Sequence, residues 1–243
     1  MSEKTSNIDN STLYDIMNNR RFGAEYQPIV ELASGHIMGW ECLARFYNHL
    51  GKSVRPDWVF DALHEDKLSL FNIEYQMKQL QLEAAPKDTK LFLNIDPHAF
   101  VVFGDNSENP LLNLIAGKRN LVVEIIENSS ASDALYSSQM GAAFQENGVQ
   151  IALDDIGAPN SMLSFEVLLS VDFLKLDRSW LKNQNVPHHK ELLHSLCDFA
   201  RATGKKLILE GVETENDLEF AHLLGVDYIQ GFIYRELFQS ARF

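Results

Sequence analysis

The sequence predicts an α/β fold of the TIM-like (β/α)8 barrel class, and three observations lead there. Eight short apolar runs rich in β-branched residues recur along the 243 residues, and most gaps between them carry helical spacing. No internal repeat, low-complexity tract or Pro-rich linker divides the chain. Eight strands in about 250 residues fit a closed barrel better than an open doubly wound sheet. We therefore read a single barrel domain over residues 21–243, preceded by a polar, partly helical lead-in over residues 1–20.

The first run, Glu25 to Leu32, is separated from the second, His36 to Phe46, only by Ala33, Ser34 and Gly35. Three residues cannot hold a crossover helix, so these two strands must pair antiparallel. The next gap holds two helical stretches, Arg55 to Lys67 and Ser69 to Ala85, with Pro56 near the start of one and Pro86 just after the other. The remaining runs are Lys90 to Ile95, Leu121 to Ile126, Val149 to Leu153, Asp172 to Leu176, Lys206 to Leu209 and Val226 to Ile229. Helices over Pro110 to Ala116, Ser132 to Glu146, Ser161 to Leu169, His189 to Thr203 and Glu215 to Leu224 alternate with them, which implies a largely parallel sheet. Gly148, Gly204 and Gly225 each follow a helical stretch by one or two residues, where a left-handed cap favours glycine.

Charge and composition narrow the function. With 34 acidic and 21 basic side chains the net charge is −13, which argues against a general partner of duplex DNA or RNA, since that role needs a basic face. The apolar fraction of 45% is enough for a sizeable core. Cys42 and Cys197 form no Cys-x-x-Cys pair, which excludes a disulfide framework and a thiolate zinc site and fits a reducing compartment. Met1 to Thr12 is polar and reads as a frayed lead-in, and no stretch approaches the roughly 18 apolar residues of a membrane span. The expectation is a cytoplasmic protein with no membrane insertion.

The ionisable residues fall in a pattern. Asn94 stands near the end of its strand, as do Glu124 and Glu127, and Asp154 with Asp155 directly follows Ile151-Ala152-Leu153. Lys175 lies within Phe173 to Asp177, Glu210 closes Leu207 to Leu209, and Gln230 closes Asp227 to Ile229. In a parallel barrel such strand ends converge on one rim. Glu41 adds a carboxylate inside an otherwise apolar strand. Taken singly, each carboxylate is more often a helix cap or a loop acceptor than a ligand. Their joint placement on consecutive strand ends is what caps do not require. Like charges gathered so closely raise one another's pKa, a conflict that divalent cations remove. Asp, Glu and Asn oxygens suit Mg2+ or Mn2+, and no His-x-His or His-Glu-x-x-His spacing offers a softer site. Paired cations of this kind commonly serve phosphoester hydrolysis, where they activate water and stabilise the entering and leaving oxygens.

In order, Tyr26-Gln27-Pro28-Ile29-Val30, Trp40-Glu41-Cys42-Leu43-Ala44-Arg45, Leu93-Asn94-Ile95-Asp96, Glu124-Ile125-Ile126-Glu127, Leu153-Asp154-Asp155-Ile156-Gly157, Leu174-Lys175-Leu176-Asp177, Glu210-Gly211-Val212-Glu213-Thr214 and Gln230-Gly231-Phe232 run along the chain. This ordered set, from about Phe22 to Gln230, resembles the EAL-domain cyclic di-GMP phosphodiesterases. The resemblance implies a barrel with an antiparallel first strand, a two-metal site of Mg2+ or Mn2+, hydrolysis of cyclic di-GMP to linear pGpG, and a homodimer. It implies that Glu41, Asn94, Glu124 and Asp154 hold one metal and that Asp154, Asp155 and Glu210 serve the second. Lys175 would orient or help deprotonate the attacking water, with Asp155 and Glu210 also catalytic. Gln230 would hold the water network or the substrate, Gln27 and Arg45 would contact the nucleotide phosphates, and Glu127 would steady the loop after Asp155.

Three positions depart from the family pattern. Cys42 replaces a small alanine, both being small and often buried. The loop Gly157-Ala158-Pro159-Asn160-Ser161 stands where active members usually carry Gly-Thr-Gly-Tyr-Ser, so Pro159 fixes φ where a glycine would be free and Ala158 lacks a hydroxyl that could bond Glu127. The proline that usually follows the last strand is also missing. A catalytically weak or silent receptor or protein-interaction module is therefore the rival reading, and a barrel hydrolase of another phosphoester is a third. No sensory or cyclase segment is visible, so regulation is expected from elsewhere or from dimerisation.

Overall fold

The computed structural model describes residues 8–105, 107–126, 131–159, 162–184 and 186–242. All eight expected barrel strands form: β1 (Phe22–Glu31), β2 (Ile37–Tyr47), β4 (Lys90–Asn94), β5 (Leu121–Ile126), β6 (Gln150–Ile156), β7 (Phe173–Leu176), β8 (Lys206–Leu209) and β9 (Tyr228–Ile229). Each pairs with the next in that order, and β9 returns to β1, which closes the ring. β1 is antiparallel to both β2 and β9, while every other pairing around the ring is parallel. Two short additions escape sequence reading. β3 (Ser53–Val54) pairs antiparallel with the end of β2, and β10 (Gln239–Arg242) lies antiparallel along the start of β1.

The helices coat the ring and follow local signals. α2 (Pro56–Leu63) starts at its proline, and α3 (Lys67–Glu83) is capped by Asp66, whose carboxylate accepts from the backbone of Leu68 and Ser69. The expected first helix therefore ends four residues early and the second begins two residues early. α4 (Pro97–Phe100) and α5 (Pro110–Ile115) follow β4, and α6 (Ala131–Glu146) follows β5. α7 (Phe165–Ser170) starts later than expected because Ser164 supplies its cap. α8 (Ser179–Lys182) is a short turn that sequence reading missed. α9 (Pro187–Thr203) and α10 (Glu215–Leu224) end on Gly204 and Gly225 in left-handed conformation, as their spacing predicted. Residues 8–12 depart from the frayed lead-in: Asp9 caps α1 (Asn10–Asn18), a helix within the partly helical lead-in, and Ile8 and Ile16 are buried in the main core.

Inside the ring a small apolar plug forms the floor. Ile29, Phe92, Val122, Ala152, Phe173 and Ile208 pack together, with Met38 and Tyr228 against them. Side chains alternate faces along a strand, so residues two positions further toward the open end point inward again. On the parallel strands these are Asn94, Glu124, Asp154, Lys175, Glu210 and Gln230. On β1, which runs the other way, the equivalent residue is Gln27. β2 breaks the count, because its register with β1 shifts between Ile29/Gly39 and Val30/Ile37, leaving Met38 as an extra residue. That bulge lets Met38 and Glu41, three apart, both face inward. Each of the eight strands thus contributes one polar or charged residue to a single layer above the plug.

Candidate active site

The layer above the plug is a compact acidic cluster at the base of a cavity of about 700 Å3. Glu41, Glu124 and Asp154 each offer an oxygen within 4.8 Å of the others, and Asp154, Asp155 and Glu210 do the same. Asp154 belongs to both groups. A second bulge makes this possible: β6 pairs Leu153 with Leu174 and then Ile156 with Leu176, so one extra residue is accommodated at the two aspartates. Asp155 takes the left-handed φ of 57° there, and two consecutive carboxylates come to face one cavity instead of alternating.

Lys175 sits at the centre, fully buried, with its ammonium 2.6 Å from Glu124, 2.8 Å from Asp154, 2.8 Å from Glu210 and 3.6 Å from Glu41. These are charge contacts without the angles of hydrogen bonds, and Glu124 Oε1, Asp154 Oδ1 and Lys175 Nζ are buried with no hydrogen-bond partner. Asn94 donates its amide to Glu41 (3.0 Å) and to Glu124 (2.7 Å). Gln230 donates to Glu41 Oε2 at 2.5 Å, and its own Oε1 is buried without a partner.

The electrostatics are those of a site short of positive charge. Burial, with the Glu41 and Asp154 carboxylates and only partial relief from Lys175, holds Glu124 and Glu210 well above the usual carboxylate range. Asp154 is raised chiefly by burial, and Asp155 is pushed up to about 6 by desolvation and by Asp154 beside it. Glu41 alone moves down: burial opposes its charge, but Lys175 and the hydrogen bonds from Gln230 and Asn94 prevail. Burial disfavours the Lys175 charge, yet the surrounding carboxylates raise its pKa well above the ordinary value. One ammonium cannot balance five carboxylates. Hard oxygen donors in two overlapping groups, with buried oxygens that lack hydrogen-bond partners, fit divalent cations such as Mg2+ or Mn2+.

Gln27 and Arg45 line the cavity wall above the cluster. Both are engaged with Glu25, whose Oε1 is 2.5 Å from Arg45 Nη2 and accepts from Gln27 Nε2 at 3.1 Å. Glu127 lies outside the described residues, as do Asn160 and Ser161. Cys42 is buried, consistent with a passive role, and burial pushes its thiol up.

Sequence reading missed several supports. Trp180 Nε1 donates to Ile156 O at 2.6 Å and Ser179 Oγ donates to Gly157 O at 2.9 Å, so α8 braces the turn that carries Asp155. On α3 the buried Glu74, Lys78 and Gln81 tie the helix to the strands behind the cluster. Glu74 accepts from the Asp96 backbone, and Gln81 donates to Cys42 O at 2.7 Å. Nothing in the local sequence of α8 announces its role. Glu25 was legible, standing two residues before Gln27 on a strand of period two.

The family model described as EAL domain matches residues 10–236. This chain belongs to the EAL domain family. Among curated relatives, the domain is 29% identical over 236 residues to the probable cyclic di-GMP phosphodiesterase PdeB of Escherichia coli, covering 91% of this chain and 44% of that protein. It is 23% identical to the cyclic di-GMP phosphodiesterase PdeL of E. coli, covering 90% of this chain and 63% of that one. The chain spans about half the length of such relatives, 44%, 53% and 45% for three of them. Its fold matches the crystal structure of the Bacillus subtilis YkuI protein, in complex with substrate c-di-GMP and calcium, with a TM-score of 0.78 at 24% identity over 97% of this chain and 59% of that one. Among the described residues of this EAL domain, no helix is long and apolar enough to cross a membrane.

Proposed function

We propose that this EAL domain is a metal-dependent phosphodiesterase that hydrolyses cyclic di-GMP to linear pGpG. The observation that carries the reading is the pair of carboxylate groups sharing Asp154 at the base of a cavity whose wall bears Gln27 and Arg45. In it, Glu41, Asn94, Glu124 and Asp154 hold one cation, and Asp154, Asp155 and Glu210 hold the other. The bound cations would supply neutralisation of the phosphodiester charge and activation of water.

The chain's own residues do the rest. Asn94 commits its amide NH2 to two carboxylates, which keeps its oxygen for a ligand role. Lys175 touches members of both groups, so it holds them at fixed separation and offsets part of their charge from beneath the cavity. Gln230 is fixed through Glu41, and its unpartnered oxygen accepts a hydrogen bond from water or substrate. Arg45 offers a planar fork to a phosphate, which suits bidentate contact. In the net reaction the water oxygen joins phosphorus, the bond to the 3′ oxygen breaks, and that oxygen takes the proton.

The test is incubation of the purified chain with cyclic di-GMP, with Mn2+ or Mg2+ and with a chelator, followed by chromatography. Metal-dependent appearance of pGpG is expected. Binding without turnover in either metal would instead establish the receptor reading, which Pro159 and Ala158 in the turn after Asp155 favour. Failure to bind, with turnover of a generic diester, would point to another phosphoester. A homodimer is part of the same proposal, with Phe165 and Leu169 of α7, 76% and 64% exposed, on its apolar face. Phe165→Glu should then turn a dimer into a monomer in sedimentation.

A further inference from the structure

Glu25 forms none of the expected metal site, yet it occupies both side chains that the proposed reading assigns to the substrate phosphate. On one face of the β1 and β2 hairpin, Gln27 stands opposite Glu41, Glu25 opposite Leu43, and Gly23 opposite Arg45; Gln27, Glu41, Leu43 and Arg45 line the cavity, and Glu25 stands at its edge between them. Arg45 faces a residue without a side chain, so its guanidinium reaches along the hairpin to the Glu25 carboxylate. One oxygen, Glu25 Oε1, meets Arg45 Nη2 at 2.5 Å and the Gln27 amide at 3.1 Å. A phosphoryl oxygen held by the same two donors would sit where that oxygen sits.

We infer that Glu25 is an internal competitor for the phosphate-binding side chains, setting nucleotide affinity by occupying Arg45 and Gln27 until a phosphate displaces it. This rests on the reading of the cavity as a phosphodiester site. Two observations favour competition over scaffolding. Arg45 Nη1 donates to Ala44 O at 2.8 Å, a bond that tethers the guanidinium without help from Glu25. The Glu25 and Arg45 side chains are 27% and 25% exposed, so the displaced carboxylate has water to turn into. Apparent affinity falls by the fraction of molecules in which Arg45 is free. Because this ion pair is partly exposed, the effect is about two- to fivefold.

The experiment compares the wild type with Glu25→Gln and Glu25→Ala, each also in an Arg45→Ala background. Dissociation constants for cyclic di-GMP and for inorganic pyrophosphate are measured by calorimetry with chelator present, and steady-state constants with Mn2+. Both Glu25 substitutions should tighten both ligands about two- to fivefold, lower KM more than they change kcat, and lose their effect when Arg45 is alanine. Unchanged or weakened binding in the two variants would make Glu25 inert or a scaffold and overturn the inference. Tighter pyrophosphate with no nucleotide binding would sustain it while the phosphodiesterase reading fails. Turnover of cyclic di-GMP with no effect of Glu25 would do the reverse, and binding of neither ligand by any variant, together with no turnover in Mn2+, would remove both.

Discussion

Asp155 owes its position in the site to backbone conformation. A non-glycine residue at φ 57° is uncommon, and aspartate is among the few side chains that tolerate it. Asparagine tolerates it too, so Asp155→Asn keeps the turn and removes one charge from the Asp154, Asp155 and Glu210 group. Turnover should drop by roughly two orders of magnitude or more, while the dissociation constant of cyclic di-GMP moves by only a few-fold; unchanged kcat would exclude Asp155 from the chemistry. The same residue sets a pH dependence. Its pKa near 6 means that a proton competes with the cation up to that pH. Mn2+ affinity followed by electron paramagnetic resonance should therefore rise from pH 5 to about 7. A flat profile across that range would remove Asp155 as a ligand.

At the scale of elements, two bulges and one short helix decide which side chains meet. Alternation along Leu91 to Asn94, Leu121 to Glu124 and Phe173 to Lys175 was readable, because period two in a barrel strand assigns each residue to one face. It fails at β2 and β6. Met38 shifts Glu41 to the inner face and the extra residue at Asp154 and Asp155 turns both inward, and neither displacement follows from local propensity. α8 then fixes the second bulge through Trp180. Gly157, at φ 88°, has its missing Cβ position 2.4 Å from the Trp180 indole nitrogen, so the turn closes only around glycine. Gly157→Ala should destabilise the protein by about 1–3 kcal/mol through overpacking and backbone strain, and weaken the second cation more than the first. Denaturant unfolding and a two-site Mn2+ titration would check this, and a variant with native stability and both sites intact would contradict the brace.

Across the whole molecule, closing the ring concentrates charge that the folded chain alone cannot neutralise, and this couples stability to cations and pH. Glu124 and Glu210 have folded pKa values well above the ordinary 4.5, and Asp154 and Asp155 are raised as well. Below the ordinary value both folded and unfolded states hold the protons and no penalty exists. As pH rises past it, the unfolded chain ionises first and the metal-free fold loses stability until the folded groups ionise too. Lys175 does not reverse this, since its raised pKa keeps its contribution intact up to the ordinary lysine pKa and lets it fall only above that. Added Mg2+ or Mn2+ should accordingly raise Tm more at pH 8 than at pH 5 in scanning calorimetry, and an equal shift at both would contradict the charge excess. The amino-acid sequence by itself determined the strand and helix order, the antiparallel first hairpin, and the polar residues at the strand ends, because side-chain period, turn chemistry and connection length are local properties. Only the tertiary structure decided that Lys175 lies buried between the two carboxylate groups and that Glu25 occupies Arg45, while the sharing of Asp154, which the family resemblance implied, is brought about by the bulge in β6. Those facts depend on bulges, barrel closure and side-chain reach across strands, which join residues far apart in the chain.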